Sequence, residues 1–146
     1  MTISIRQAAI RVFGLAVSML LLGMVNAKSA PDKMIPFEAH VIGQIGVDSD
    51  GVTRSHEVGI GTHLGKYTEL VNLETGEVTI TAANGDNIFG WLTFVSATEG
   101  EVEIVGGTGR FEGATGYYSV TISPIDANTI AAELSGWISN VGSAKH

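Results

Sequence analysis

The chain contains no cysteine. That excludes a disulfide framework, a thiol nucleophile and a thiolate metal site, and it leaves stability to packing alone. Proline is scarce, with Pro31 and Pro36 in a short polar stretch and Pro124 in a turn. Basic residues are also few, with 8 Lys and Arg against 15 Asp and Glu, giving a formal charge of −7. An acidic balance of this kind argues against nucleic acid and against anionic membrane surfaces as partners. The longest apolar run, Val12 to Val25, has about 14 residues, short of the ~20 a spanning helix needs. No amphipathic helix pattern follows residue 30. No His-x-His pair exists, and His56 and His63 fall on opposite faces of any continuous strand, so no metal site is expected. No nucleophile-elbow signature is present, and no motif calls for a cofactor.

What is present begins with an export signal. Arg6 and Arg11 precede the apolar run, which includes Met19-Leu-Leu-Leu22, and Val25-Asn-Ala27 suits a cleavage site. Residues 1–27 read as a signal peptide, with an uncleaved anchor as the alternative. Cleavage removes Arg6 and Arg11 and takes the formal charge from −7 to −9. Residues 28–35 form a linker, 36–140 one domain and 141–146 a tail. The expected location is the periplasm or the cell exterior, with no membrane contact after cleavage.

From Phe37 onward the hydrophobic period is two. Phe37, Ala39, Val41, Gly43, Ile45 and Val47 share one face, and Glu38, His40, Ile42 and Gln44 share the other. Asp48-Ser-Asp-Gly51 is a turn with a superficial likeness to a calcium loop, but it runs straight into strand-forming residues. Strands follow over Val52–Thr62, Tyr67–Leu73, Glu77–Ala83 and Asn87–Val95, the third of these with Val78, Ile80 and Ala82 inward. Asn84-Gly85 is a tight-hairpin signal, because both central positions accept positive φ. Glu101–Val105, Tyr117–Ile122 and Asn128–Ser139 complete about eight strands. Eight antiparallel strands joined by short turns predict an all-β, up-and-down barrel, in which closure removes sheet edges. A β-sandwich is the alternative. The abundance of glycine favours the barrel, whose curved strands need kinks and bulges.

The densest glycine cluster lies in Ile104-Val-Gly-Gly-Thr-Gly-Arg-Phe-Glu-Gly-Ala-Thr-Gly116. Gly106, Gly107 and Gly109 permit a sharp bend, Phe111 can tuck back as an apolar plug, and Ala114 and Gly116 leave it room. A phosphate cradle is the rival reading. The third glycine of a dinucleotide fingerprint falls one place late, no helix follows, and no P-loop lysine is present.

The run Gly106-Gly107-Thr108-Gly109-Arg110-Phe111-Glu112-Gly113-Ala114-Thr115-Gly116 resembles the signature of the allene oxide cyclase and dirigent barrel superfamily. It is most similar to the bacterial branch usually called allene oxide cyclase barrel-like proteins. Thr62-His-Leu-Gly65 and Thr81-Ala-Ala-Asn-Gly-Asp86 are similar to the same branch. The resemblance spans roughly residues 36 to 140 and implies an eight-stranded barrel. It implies no particular reaction, since the superfamily includes cyclases, coupling-directing proteins and members of unassigned function. It also implies dimers or trimers formed through the barrel walls, compatible with apolar Ile42, Phe89 and Val95 on the outer parity.

A barrel of eight strands is filled by side chains or holds one small ligand. Phe37, Val41, Val78, Ile80, Leu92 and Phe94, with Ile45, are the expected lumen lining and candidate ligand contacts. The catalytic candidates are Glu133, Glu38 and His63. Glu133 shares a parity with Ala131, Ser135 and Trp137. Facing inward it would be a desolvated carboxyl fit for acid–base work; facing outward it would be a solvated strand residue, and Ile130, Leu134 and Ile138 make the better core face. Glu38 poses the same choice. His63 reads as a turn histidine bonded to backbone, or as a polar group at the barrel mouth. The glutamate of allene oxide cyclases and the pocket residues of dirigent proteins have no matching motif here, so catalytic residues do not carry over. Three functions follow in order: a non-catalytic binder of a small hydrophobic metabolite, a cyclase or isomerase acting by confinement, and a structural protein with a filled barrel.

Overall fold

The computed structural model describes residues 33–139. The expected signal peptide, most of the linker and the 141–146 tail lie outside the described residues.

Eight strands run in chain order: β1 (Ile35–Val47), β2 (Thr53–Gly61), β3 (Gly65–Asn72), β4 (Glu77–Ala82), β5 (Asn87–Phe94), β6 (Glu99–Gly107), β7 (Gly116–Pro124) and β8 (Thr129–Ile138). Each pairs antiparallel with the next, and β8 closes on β1 to form an up-and-down barrel. The period-two pattern explains the strands. In β1, Phe37, Ala39 and Val41 are buried while Glu38, His40 and Ile42 are exposed. In β4, Val78, Ile80 and Ala82 are buried, as their alternation predicts. The β4–β5 hairpin turns through Asn84-Gly85, where Gly85 takes φ +89° but Asn84 does not take the positive φ its type permits. β5 and β6 shift register between Phe89 and Gly90, which adds local curvature.

Up-and-down topology places the β2–β3, β4–β5 and β6–β7 connections at one end of the barrel and the β1–β2, β3–β4, β5–β6 and β7–β8 turns at the other. The first end is closed. Between β6 and β7 a single 3-10 turn, Gly109–Phe111, drops the Phe111 ring into the barrel, where it is fully buried beside Ala114. The glycines are required there. A Cβ on Gly107 would stand 2.7 Å from the Phe111 Cβ, and one on Gly116, at φ +142°, would strike the Trp137 carbonyl. Leu64 from the β2–β3 turn and Ile138 from β8 complete the plug. Above it, Phe37 and Tyr118 pack with ring centroids 5.1 Å apart.

The Asp48-Ser-Asp-Gly51 turn at the other end carries an ion network in place of a calcium loop. Arg54 bonds Asp48 at 2.9 Å and Asp50 at 2.8 Å, and His56 lies 2.9 Å from Asp48. Hydrogen bonds from His56 and Arg54 hold the Asp48 carboxyl below its usual range, and Arg54 holds Asp50 at about 2.

Candidate functional site in the barrel lumen

The half of the barrel away from the Phe111 plug is not filled. It encloses a cavity of about 300 Å³, at the lower end of the range for small-molecule sites. Its walls are Val71, Val78, Leu92, Val102, Val120 and Leu134, and its mouth lies among Phe94, Ala97, Pro124, Asp126 and Ala127. The walls are aliphatic because β3 to β8 place branched or small residues on their inward parity.

Two carboxyl groups interrupt this lining. Glu57 on β2 and Glu69 on β3 are direct cross-strand partners, and both are buried. Antiparallel partners share a sheet face. Since Val41, Gly43 and Ile45 of β1 point inward opposite Gly59, Glu57 and Ser55, the register carries Glu57 inside and Glu69 with it. Gly43 makes the space: a Cβ there would come within 2.7 Å of the Glu57 Cγ and 2.9 Å of the Ser55 Oγ.

The pair is held from both sides. Ser55 donates its hydroxyl to Glu57 Oε1 at 2.7 Å, and the fully buried Tyr118 of β7 donates to Glu69 Oε1 at 3.2 Å. Glu69 Oε2 and the Tyr67 hydroxyl are buried without a hydrogen-bond partner. Burial, and then the charge of Glu57, push the Glu69 carboxyl up to about 8, against the opposing pull of the Tyr118 hydrogen bond. Burial also raises Glu57, offset in part by Ser55. The phenols of Tyr67 and Tyr118 are pushed up by burial first and by the neighbouring glutamates second. Two carboxylates facing each other in an apolar lumen cannot both ionise cheaply, so the pair retains a proton at neutral pH. Such a pair donates a proton, accepts one, or binds a cation.

Of the lumen residues expected from sequence, Ile45, Val78, Leu92 and Phe94 line the cavity, with Phe94 at its mouth and 40% exposed. Phe37 and Ile80 are buried in the packed half, and Val41 is buried on the inner face. Glu133 lies on the outer wall, where it faces His40 at 3.8 Å with side-chain exposures of 76% and 77%. Glu38 is also exposed on the outer parity of β1. His63 sits at the plugged end at φ +65°, its ring Nε2 3.0 Å from the Pro36 carbonyl. None of these three side chains is among those lining the cavity.

A broader depression of about 930 Å³ crosses the outer wall of β1 to β4, bordered by exposed Ile42, Val58 and Ile60 with His40 and Lys66. It lies open to solvent and gathers no buried carboxyl group, so the lumen is the candidate site despite its smaller size.

No family model matches the chain. No curated protein matches it either. Solved structures do. The pterocarpan synthase dirigent protein GePTS1 superposes with a TM-score of 0.56 at 16% identity, over 82% of this chain and 92% of its own. The pterocarpan synthase dirigent protein PsPTS1 superposes with a TM-score of 0.57 at 14% identity, over 77% of this chain and 99% of its own. The fold is therefore the dirigent-type barrel that the glycine motif of residues 106–116 implies, and at these identities the likeness is one of fold.

Proposed function

From a dirigent-like β-barrel with a half-open lumen, we propose an exported protein that holds one small, mainly apolar molecule inside the barrel. The observation that carries this reading is the enclosed cavity of about 300 Å³, whose aliphatic walls converge on one polar locus at Glu57 and Glu69. Export rests on the leader pattern of residues 1–27. The acidic balance of the chain supports neither nucleic acid nor an anionic membrane as a partner. The exposed outer stripe of Ile42, Val58 and Ile60 is compatible with a homodimer or homotrimer.

A second reading, a cyclase or isomerase, is favoured by one specific observation. Glu69 is buried with its carboxyl raised to about 8 and one oxygen unpaired, the condition of a general acid that is still protonated at neutral pH. Two structural neighbours are themselves named pterocarpan synthase dirigent proteins. In this chain the lumen would orient an apolar substrate and Glu69 would supply or remove the proton.

Filling the cavity separates ligand binding from a merely structural barrel. Ala132 lines the lumen on β8. Ala132→Phe is expected to lower affinity for the neutral fluorophore N-phenylnaphthylamine by about tenfold or more, while the melting temperature stays level or rises. Fluorescence titration and thermal melts check this. Undiminished binding to the variant would place the fluorophore elsewhere and sink the reading.

A further inference from the structure

Among the described residues the lumen contains acid and no base. Glu57, Glu69 and Asp126 are its titratable lining groups, and among those residues no Lys, Arg or His lines it. The groups that face the carboxyl pair are Ser55 from β2, Tyr67 from β3 and Tyr118 from β7. The remaining strands present apolar side chains such as Val78, Leu92 and Val102. With one proton between them, Glu57 and Glu69 carry a net charge of about −1 that no cation among the described lining residues offsets.

Two buried oxygens here lack partners: Glu69 Oε2 and the Tyr67 hydroxyl, in residues only 5% and 4% exposed. A buried polar oxygen left unpaired is costly, and once Glu69 is ionised its Oε2 is an acceptor whose natural complement is a donor brought in by the ligand. A hydroxyl or carbonyl ligand offers one donor or none. A carboxylate or phosphate ligand offers none and meets like charge. A primary ammonium offers three N–H donors and the missing positive charge. Resting on the reading of the lumen as a ligand site, we infer that it selects an apolar molecule with a single primary ammonium group, seated between Glu57 and Glu69 with its hydrocarbon body against the aliphatic wall.

Charge balance supports the assignment. An ammonium beside the pair offsets buried negative charge, whereas either partner alone is a desolvated charge. Asp126 at the mouth places a further negative group on the entry path. A cation seated beside Glu69 favours its ionised form and draws off the remaining proton of the pair. Amine affinity therefore rises with pH until Glu69, raised to about 8, has released its proton. An alkylammonium, with a pKa of about 10, stays charged throughout that window.

Phenethylamine and phenethyl alcohol, which differ by an ammonium for a hydroxyl, are the probes for calorimetric titration of the protein. At a pH of about 8.5 the amine is expected to bind about tenfold or more tightly than the alcohol, and at a pH of about 6 the preference is expected to shrink to about threefold or less. Amine binding should release a proton, seen as a dependence of the observed heat on the ionisation enthalpy of the buffer, and alcohol binding should not. Glu69→Gln should erase the preference, so that the amine binds no more tightly than the alcohol; Glu133→Gln, on the outer wall, should leave the preference intact. Equal or weaker binding of the amine at both pH values would overturn the ammonium assignment. If N-phenylnaphthylamine still enters the lumen in that case, only the ligand class is lost. If neither amine, alcohol nor fluorophore binds, the ligand-site reading falls and this inference falls with it.

Discussion

Thermal melts are expected to show the protein losing stability as pH rises from about 5 to about 8, and Glu69→Gln is expected to remove most of that loss. A glutamate ordinarily titrates near 4.5, whereas Glu69 in the barrel is raised to about 8. Between those values the unfolded chain has released this proton and the folded chain still holds it. The folded state binds more protons, so stability falls with rising pH across the window and levels off above about 8. A shift of that size corresponds to at most about 5 kcal/mol, and half of it would lower the melting temperature by about 10 °C in a domain of this length. Gln keeps a carbonyl to accept from Tyr118 and has no charge to bury. The variant should match the parent at acidic pH and exceed it at alkaline pH. A parent whose melting temperature is flat over the window, or a variant less stable at every pH, would contradict the assignment of a buried proton to this pair.

Phe111→Ala is expected to cost about 3–5 kcal/mol, the range for removing a fully buried aromatic ring. Phe111 is completely buried at the closed end, backed by Gly107 and capped by Arg110, whose guanidinium lies 4.8 Å from the ring centroid. The ring lies away from the cavity lining, so the loss should appear in urea denaturation while the pH slope due to Glu69 persists in the milder Phe111→Leu. A cost below about 1 kcal/mol would mean that the glycine-rich connection rests on the barrel without sealing it.

These two sites differ in how plainly the sequence announces them. The Phe111 plug was legible from residues 106–116, because clustered glycines around one aromatic leave few geometries open. The strands of β1 and β4 were legible for a similar reason, since polar and apolar residues alternate cleanly along Phe37–Val41 and Glu77–Ala82. The Glu57–Glu69 pair was not. β2 exposes Val58 and Ile60 and buries Ser55 and Glu57, and β3 exposes Leu70 and buries Glu69. Alternation read alone turns β2 inside out, while in β3 Tyr67 and Val71 mark the inward face that Glu69 shares. The usable signal was the hairpin: once β1 is oriented, register passes its inward face to Glu57 and then to Glu69. Register depends on the number of residues in the Asp48–Val52 connection, and one residue either way exchanges the two faces. Glu133 and Glu38 attract attention because they flank apolar runs, yet the better-packed parity of β8, Leu134 and Ile138, takes the interior.

The measurement that tests the account most directly is an NMR titration of the glutamate side-chain carboxyl carbons. One resonance is predicted to titrate near 8, to vanish in Glu69→Gln and to move when a ligand fills the lumen. If every glutamate instead titrates within about one unit of the ordinary value near 4.3, the lumen holds no proton, and both the acid site and the cation site built on it are contradicted.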